Sequence, residues 1–154
     1  MKRFVWRLQR LLDLKTKQVE LLRAELMALG ERIAQIRASI LMHKAEIRSR
    51  LAELRELPAD QRPGKQQIFL QFVHVLDTRI RALEQTASRL DEQRKQKIKE
   101  LMEVRKNQKS LEKLREKAKE VYHQEQEQAQ QKETDETSST AYARKLLMPS
   151  LEQI

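Results

Sequence analysis

Eight apolar residues, Val5, Leu12, Val19, Leu26, Ile33, Ile40, Ile47 and Leu54, fall seven apart in the first part of the chain. Three places after each come Leu8, Lys15, Leu22, Leu29, Ile36, His43, Arg50 and Leu57, apolar at five of the eight. A seven-residue repeat keeps one narrow stripe on the same side of a helix, and that stripe must be covered by another helix of matching pitch. Residues 1–57 therefore read as one coiled-coil strand, and about 55 residues at roughly 1.5 Å each make a rod of about 80 Å.

A second lattice follows, with Phe69, Leu76, Leu83, Leu90, Lys97, Val104, Leu111 and Ala118 on one row and Val73, Ile80, Ala87, Arg94, Leu101, Gln108, Arg115 and Tyr122 on the other. It turns patchy beyond Arg94. Between the lattices, "ELPADQRPGKQQ" holds Pro58, Pro63 and Gly64, which predicts a turn at 58–65 and a second helix at 66–122. So short a link joins helices most simply as antiparallel neighbours, because a parallel pair needs a connection as long as the helix itself. The fold class is all-α, a long antiparallel two-helix coiled-coil hairpin. After Tyr122 the chain is rich in Gln, Glu, Ser and Thr, and 123–154 is expected to be a polar tail, partly helical or disordered.

Composition narrows what such a hairpin can do. With 36% charged residues against 4% aromatic, and only two glycines, there is little material for a multilayer core or a cleft. The formal charge is +9, but acids dilute it: 1–57 carries 13 Lys/Arg against 7 Asp/Glu, 66–122 carries 14 against 9, and 123–154 carries 3 against 6. No pure cationic arm results, and the absence of an aromatic stacking platform argues against a nucleic-acid partner. A basic coiled coil on nucleic acid or a membrane surface stays as the alternative, separable by salt titration. Arg7, Gln9 and Arg10 interrupt any apolar signal core, and no run approaches the roughly 18 apolar residues of a span, so no membrane insertion is expected.

Catalytic chemistry is missing too. No cysteine is present, and His43, His74 and His123 form no close helical ligand pair, so neither a metal nor a cofactor is expected. His43 reads as a polar interruption of the seam, and Gly30 as an interior weak point costing about 1 kcal/mol against alanine. The informative residues are instead an apolar surplus off the seam: Phe4, Trp6, Leu11 and Leu14 near the start, and Ile68, Leu70, Phe72 and Val75 after the turn. Contiguous apolar residues without a covering helix point to partner contacts or to self-association into a bundle.

"RFVWRLQRLLDLKTKQVE" resembles the opening of the FliJ family of flagellar export proteins. "QFVHVLD" resembles that family's second-helix start, "VRKNQKSLEKLREK" its second-helix end, and "QQKETDETSSTAYARK" its tail, where Lys132, Asp135 and Glu136 precede Tyr142 and Arg144. The resemblance implies a non-catalytic, cytoplasmic component of the flagellar type III export apparatus, peripheral to the cytoplasmic face of the inner membrane at the flagellar base. It also implies a hairpin similar to the stalk of the rotary ATPases and a free form that is monomeric or weakly self-associating. The implied partners are a hexameric flagellar export ATPase, a membrane export gate protein and export chaperones. Carried onto this chain, the ATPase-facing residues are Arg3, Phe4, Trp6, Arg7, Leu8, Arg10, Leu11 and Leu12. The gate-facing ones are Phe72 and Leu76, with Ile36, Ile40, His43 and Ile47 opposite. Arg79 and Leu83 depart from the family's pattern. Within the same fold, the stalk of a virulence injectisome is the rival reading.

Overall fold

Two helices account for almost everything the computed structural model describes, residues 3–147: α1 runs Gln9–Glu56 and α2 runs Arg62–Leu147. No strand occurs among the described residues. Met1, Lys2 and residues 148–154, which close the expected tail, lie outside them.

The larger of two units comprises residues 16–105. Val19, Ile33 and Ile40 of α1 are buried there, as are Leu76, Ile80, Ala87 and Leu90 of α2, and all seven belong to the two heptad lattices. Their facing neighbours Leu22, Leu26, Leu29, Ile36, Phe69, Val73 and Leu83 are half-buried. Burial thus follows the heptad register, since only those side chains point at the other helix. Cross-helix contacts give the direction. Glu25 bonds to Lys97, Arg37 to Asp91 at 3.0 Å and Lys44 lies 3.7 Å from Glu84, while the Arg50 guanidinium sits 4.1 Å over the Phe72 ring. Partner numbers fall as the α1 number rises, so the helices are antiparallel and form the expected hairpin.

The turn is tighter than expected, because Pro63 and Gly64 stand in the first turn of α2 rather than in the connection. Proline's missing N–H is no loss there, where the donor has no intrahelical acceptor, and its fixed φ suits a helix start. The turn is closed by an arginine. Arg62 Nε donates to the Leu57 carbonyl at 2.7 Å and its second nitrogen to the Arg55 carbonyl at 3.0 Å, satisfying acceptors that the end of α1 leaves open. The Gln61 amide donates to the Pro58 carbonyl at 3.1 Å.

The second unit joins residues 3–15 to the part of α2 from Lys106 onward. Leu12 is buried, with Leu111, Ala118 and Tyr122 half-buried. Residues 3–8 leave the lattice: helix one was expected from residue 1, yet α1 begins only at Gln9, Val5 is 82% exposed and Leu8 is exposed. The α2 seam in this unit carries Gln108 and an exposed Arg115, which give a continued apolar stripe little to pack on. Beyond Tyr122, α2 continues unbroken to Leu147 as an exposed helix in which only Gln126 is half-buried. Arg144 and Lys145 in its last turn complement the helix dipole.

Lys97 occupies a seam position and its pKa lies above the usual 10.5, chiefly because the Glu25 carboxylate accepts its hydrogen bond; partial desolvation opposes this, and the charges of Glu25 and Glu100 reinforce it. A raised lysine pKa contributes stability that is complete below the unfolded value and is lost as pH climbs through the folded one. Lys97→Met should therefore reduce, in alkaline melts, the part of the stability loss that sets in above about pH 10.5, leaving the part due to the other lysines. Separately, a Cβ at Gly30 meets nothing within 4 Å, so Gly30→Ala is expected to stabilise by about 1 kcal/mol in denaturant unfolding. Ile33→Ala, at a side chain 2% exposed, should cost about 2–4 kcal/mol in the same assay.

Candidate partner-docking site

The first candidate face is built by residues 3–8, whose backbone runs outside the helix. The Gln9 amide donates to the Trp6 carbonyl at 3.2 Å and the Leu12 amide to the Leu8 carbonyl at 3.1 Å, so the segment folds directly into α1. Gln9 Nε2 donates to Asp13 at 2.9 Å, tying down that first turn. Phe4 reaches Tyr122, ring centroids 5.4 Å apart at 58°, and Tyr122 makes an edge contact with His123 at 5.8 Å. These tilted geometries place a positive ring edge near a negative ring face.

Between the segment and α2 lies a cleft of about 640 Å³. Phe4, Trp6 and Leu8 line it from one side and Ala118, Val121 and Tyr122 from the other, with Arg3, Arg7 and Glu125 at its walls. Phe4 and Trp6 are half-buried, whereas Leu8, Leu11 and Leu14 are exposed. Arg10 is exposed on the adjoining turn. Leu12 differs from the rest of the expected ATPase-facing set, because it is buried in the seam and holds the helices together. Val121 and Tyr122 were absent from that set. Tyr122 was legible only as a seam position, and nothing local in the sequence pairs it with Phe4.

The second candidate face surrounds the turn, inside the larger unit. Of the expected gate-facing residues, Ile40 and Leu76 are buried, and Ile36, His43, Ile47 and Phe72 are half-buried. Ile36, Ile40, His43, Ile47 and Leu76 stand in successive layers of the seam, and Phe72 flanks it under the Arg50 guanidinium. His43 Nδ1 is buried without a hydrogen-bond partner and lies 4.0 Å from a Glu46 carboxylate oxygen. Beside these layers a groove of about 380 Å³ is lined by Arg50, Leu54, Leu57, Lys65, Phe69 and Phe72. Ile68 also lines the groove and is exposed, and Leu70 and Val75 are exposed further along the same stretch of α2. The groove adds Leu54, Leu57, Lys65 and Phe69 to the reading. Their clustering follows from the turn geometry, which heptad counting does not encode.

Among the described residues no cluster of three or more His, Asp or Glu could hold a metal ion, and no helix is long and apolar enough to cross a membrane. The architecture defines a class: a two-helix coiled-coil hairpin with apolar side chains exposed on the N-terminal segment and beside the turn. Residues 3–147 match the family model for the flagellar FliJ protein, and the chain belongs to that family. It is accordingly a component of the flagellar export apparatus, from a family of structural and export proteins rather than enzymes. No curated protein and no solved structure matched the chain.

The two kinds of apolar residue should separate on mutation. Leu8→Asp with Leu11→Asp, both at exposed positions, is expected to leave helicity and melting temperature close to wild type. Leu12→Asp should destabilise by more than about 2 kcal/mol, because it buries a carboxylate in the seam. Circular dichroism melts of the two variants make the comparison.

Proposed function

We propose that this protein acts as a stalk for the hexameric flagellar export ATPase, binding it through the face built by residues 3–14 and raising its ATP turnover. The observation that carries this reading is the composition of that face in a chain of this family: exposed Val5, Leu8, Leu11 and Leu14 beside the half-buried Phe4 and Trp6, with Arg3, Arg7 and Arg10 interleaved. Apolar side chains supply binding energy on leaving water, and the arginines suit a partner whose contact surface is acidic. Coupling to turnover arises if the asymmetric stalk binds one arrangement of the ring better than others, since only differential affinity shifts an equilibrium.

The groove beside the turn, with Phe72 under Arg50 and Ile68 and Leu70 exposed, is proposed as the contact for the membrane export gate protein. Ile36, His43 and Ile47 supply its partly accessible rim, while Ile40 and Leu76 act from within by fixing the spacing of the helices. Export chaperones complete the proposed partner set, and the proposed location is the cytoplasmic face of the inner membrane at the flagellar base.

The test is ATP hydrolysis by the purified export ATPase of the same organism, with and without this protein. Stimulation by wild type and its loss in Leu8→Asp/Leu11→Asp, with gate binding intact, is the expected result. Equal stimulation by the variant would remove the assignment of the N-terminal face. A variant that loses ATPase stimulation, gate binding and helicity together reports unfolding, and the exposed single variant Val5→Asp then carries the test.

A further inference from the structure

On the outward side of α1 within the larger unit, Leu21, Met27, Leu41 and Met42 are exposed at 61%, 69%, 64% and 63%, with alanines at 28, 34 and 38 between them and the charged Glu20, Glu31 and Arg48 alongside. These residues recur at a spacing close to seven and so form a stripe parallel to the seam, on the opposite side of α1 from α2. Small residues let another backbone approach closely, and methionine adapts its shape to whatever packs on it. The stripe has the period and width that another long helix would cover.

Its charges indicate which helix. One row of the stripe reads Glu20, Met27, Ala34, Leu41, Arg48. Reversed about Ala34, this row is complementary to itself. An acid meets a base at each end, a large apolar residue meets a large apolar residue, and alanine meets alanine at the centre. Glu20 and Arg48 make no ion pair among the described residues, so both are available for an intermolecular contact. Self-complementarity of one patch under a half-turn is the requirement for an isologous contact between identical chains.

We infer that the outward face of α1 binds a second copy of this chain in an antiparallel two-fold contact, with Ala34 on the axis, Met27 against Leu41 of the second copy and Glu20 against its Arg48. A partner of uniform charge would instead favour a row of one sign. The contact is independent of the faces assigned to the ATPase and the gate, and it survives if those assignments fail.

Sedimentation velocity of the full chain over a wide concentration series is the first measurement, with dimer expected at the upper end at about twice the 18.3 kDa of the monomer. Met27→Glu with Leu41→Glu should abolish it while leaving helicity unchanged, since both side chains point into solvent in the single chain. The register is tested by charge reversal. In a two-fold pair, Glu20→Arg or Arg48→Glu alone turns two attractive contacts repulsive and should weaken association roughly tenfold, whereas the two together should restore it. The chain has no cysteine, so Ala34→Cys should oxidise to a disulfide-linked dimer, Met27→Cys alone should not, and a mixture of Met27→Cys with Leu41→Cys should. A chain that stays monomeric at every concentration overturns the inference. So does a dimer that persists in Met27→Glu/Leu41→Glu, because the contact would then lie on another face.

Discussion

The structure depends on apolar side chains of two antiparallel helices meeting in heptad register. These sequences are rich in helix formers, but helices in proteins are held in place chiefly by burying an apolar face. Val19, Ile33 and Ile40 on α1 and Leu76, Ile80 and Leu90 on α2 provide that burial. Loss of any one opens a gap that few neighbours can fill, because a two-helix layer has no second layer behind it. The same thinness explains why catalytic chemistry was not to be expected: a seam one side chain deep cannot isolate a reacting group from water.

Where the seam departs from apolar residues, it gains specificity of alignment. Lys97 finds Glu25 across the helices, Arg37 finds Asp91, and Arg50 lies over Phe72. Each contact adds modestly to stability, since these groups remain largely in solvent. Each also penalises a slipped register, in which the charged groups would lose their partners or meet like charges. The seam thus uses leucine and isoleucine for strength and a few polar pairs for alignment, a division familiar in coiled coils. His43 stands apart, because its buried Nδ1 has no hydrogen-bond partner.

Function follows from what the seam leaves over. Apolar residues placed off the heptad stripe cannot be satisfied by the partner helix and stay available on the surface, as at Leu11, Leu14, Ile68 and Leu70. The proposed function uses these faces to hold other proteins, apolar area leaving water being the source of the binding energy. The inferred two-fold contact extends the same logic, because the large apolar and small residues of the outward row of α1 would pack against a further helix.

The sequence by itself determined the secondary structure, the antiparallel pairing and nearly every core residue, because a heptad repeat is a local code that names both the helix and its buried side. Buried positions such as Val19, Ile33, Ile80 and Leu90 were legible from spacing alone. Family membership was legible as well, through motifs in the same order along the chain. Tertiary structure decided three matters. Pro63 and Gly64 entered α2 because Arg62 closes the turn with its guanidinium, a contact that spacing rules for prolines do not contain. Residues 3–8 left the heptad and Phe4 turned to Tyr122, since Arg115 offers little for a continued apolar stripe to pack on. Leu12, Ile40 and Leu76, read from the sequence as partner-facing, were enclosed in the seam. One-dimensional spacing identifies which side of a helix is apolar; only the distance to the other helix decides whether a given side chain on that side is covered or left for a partner.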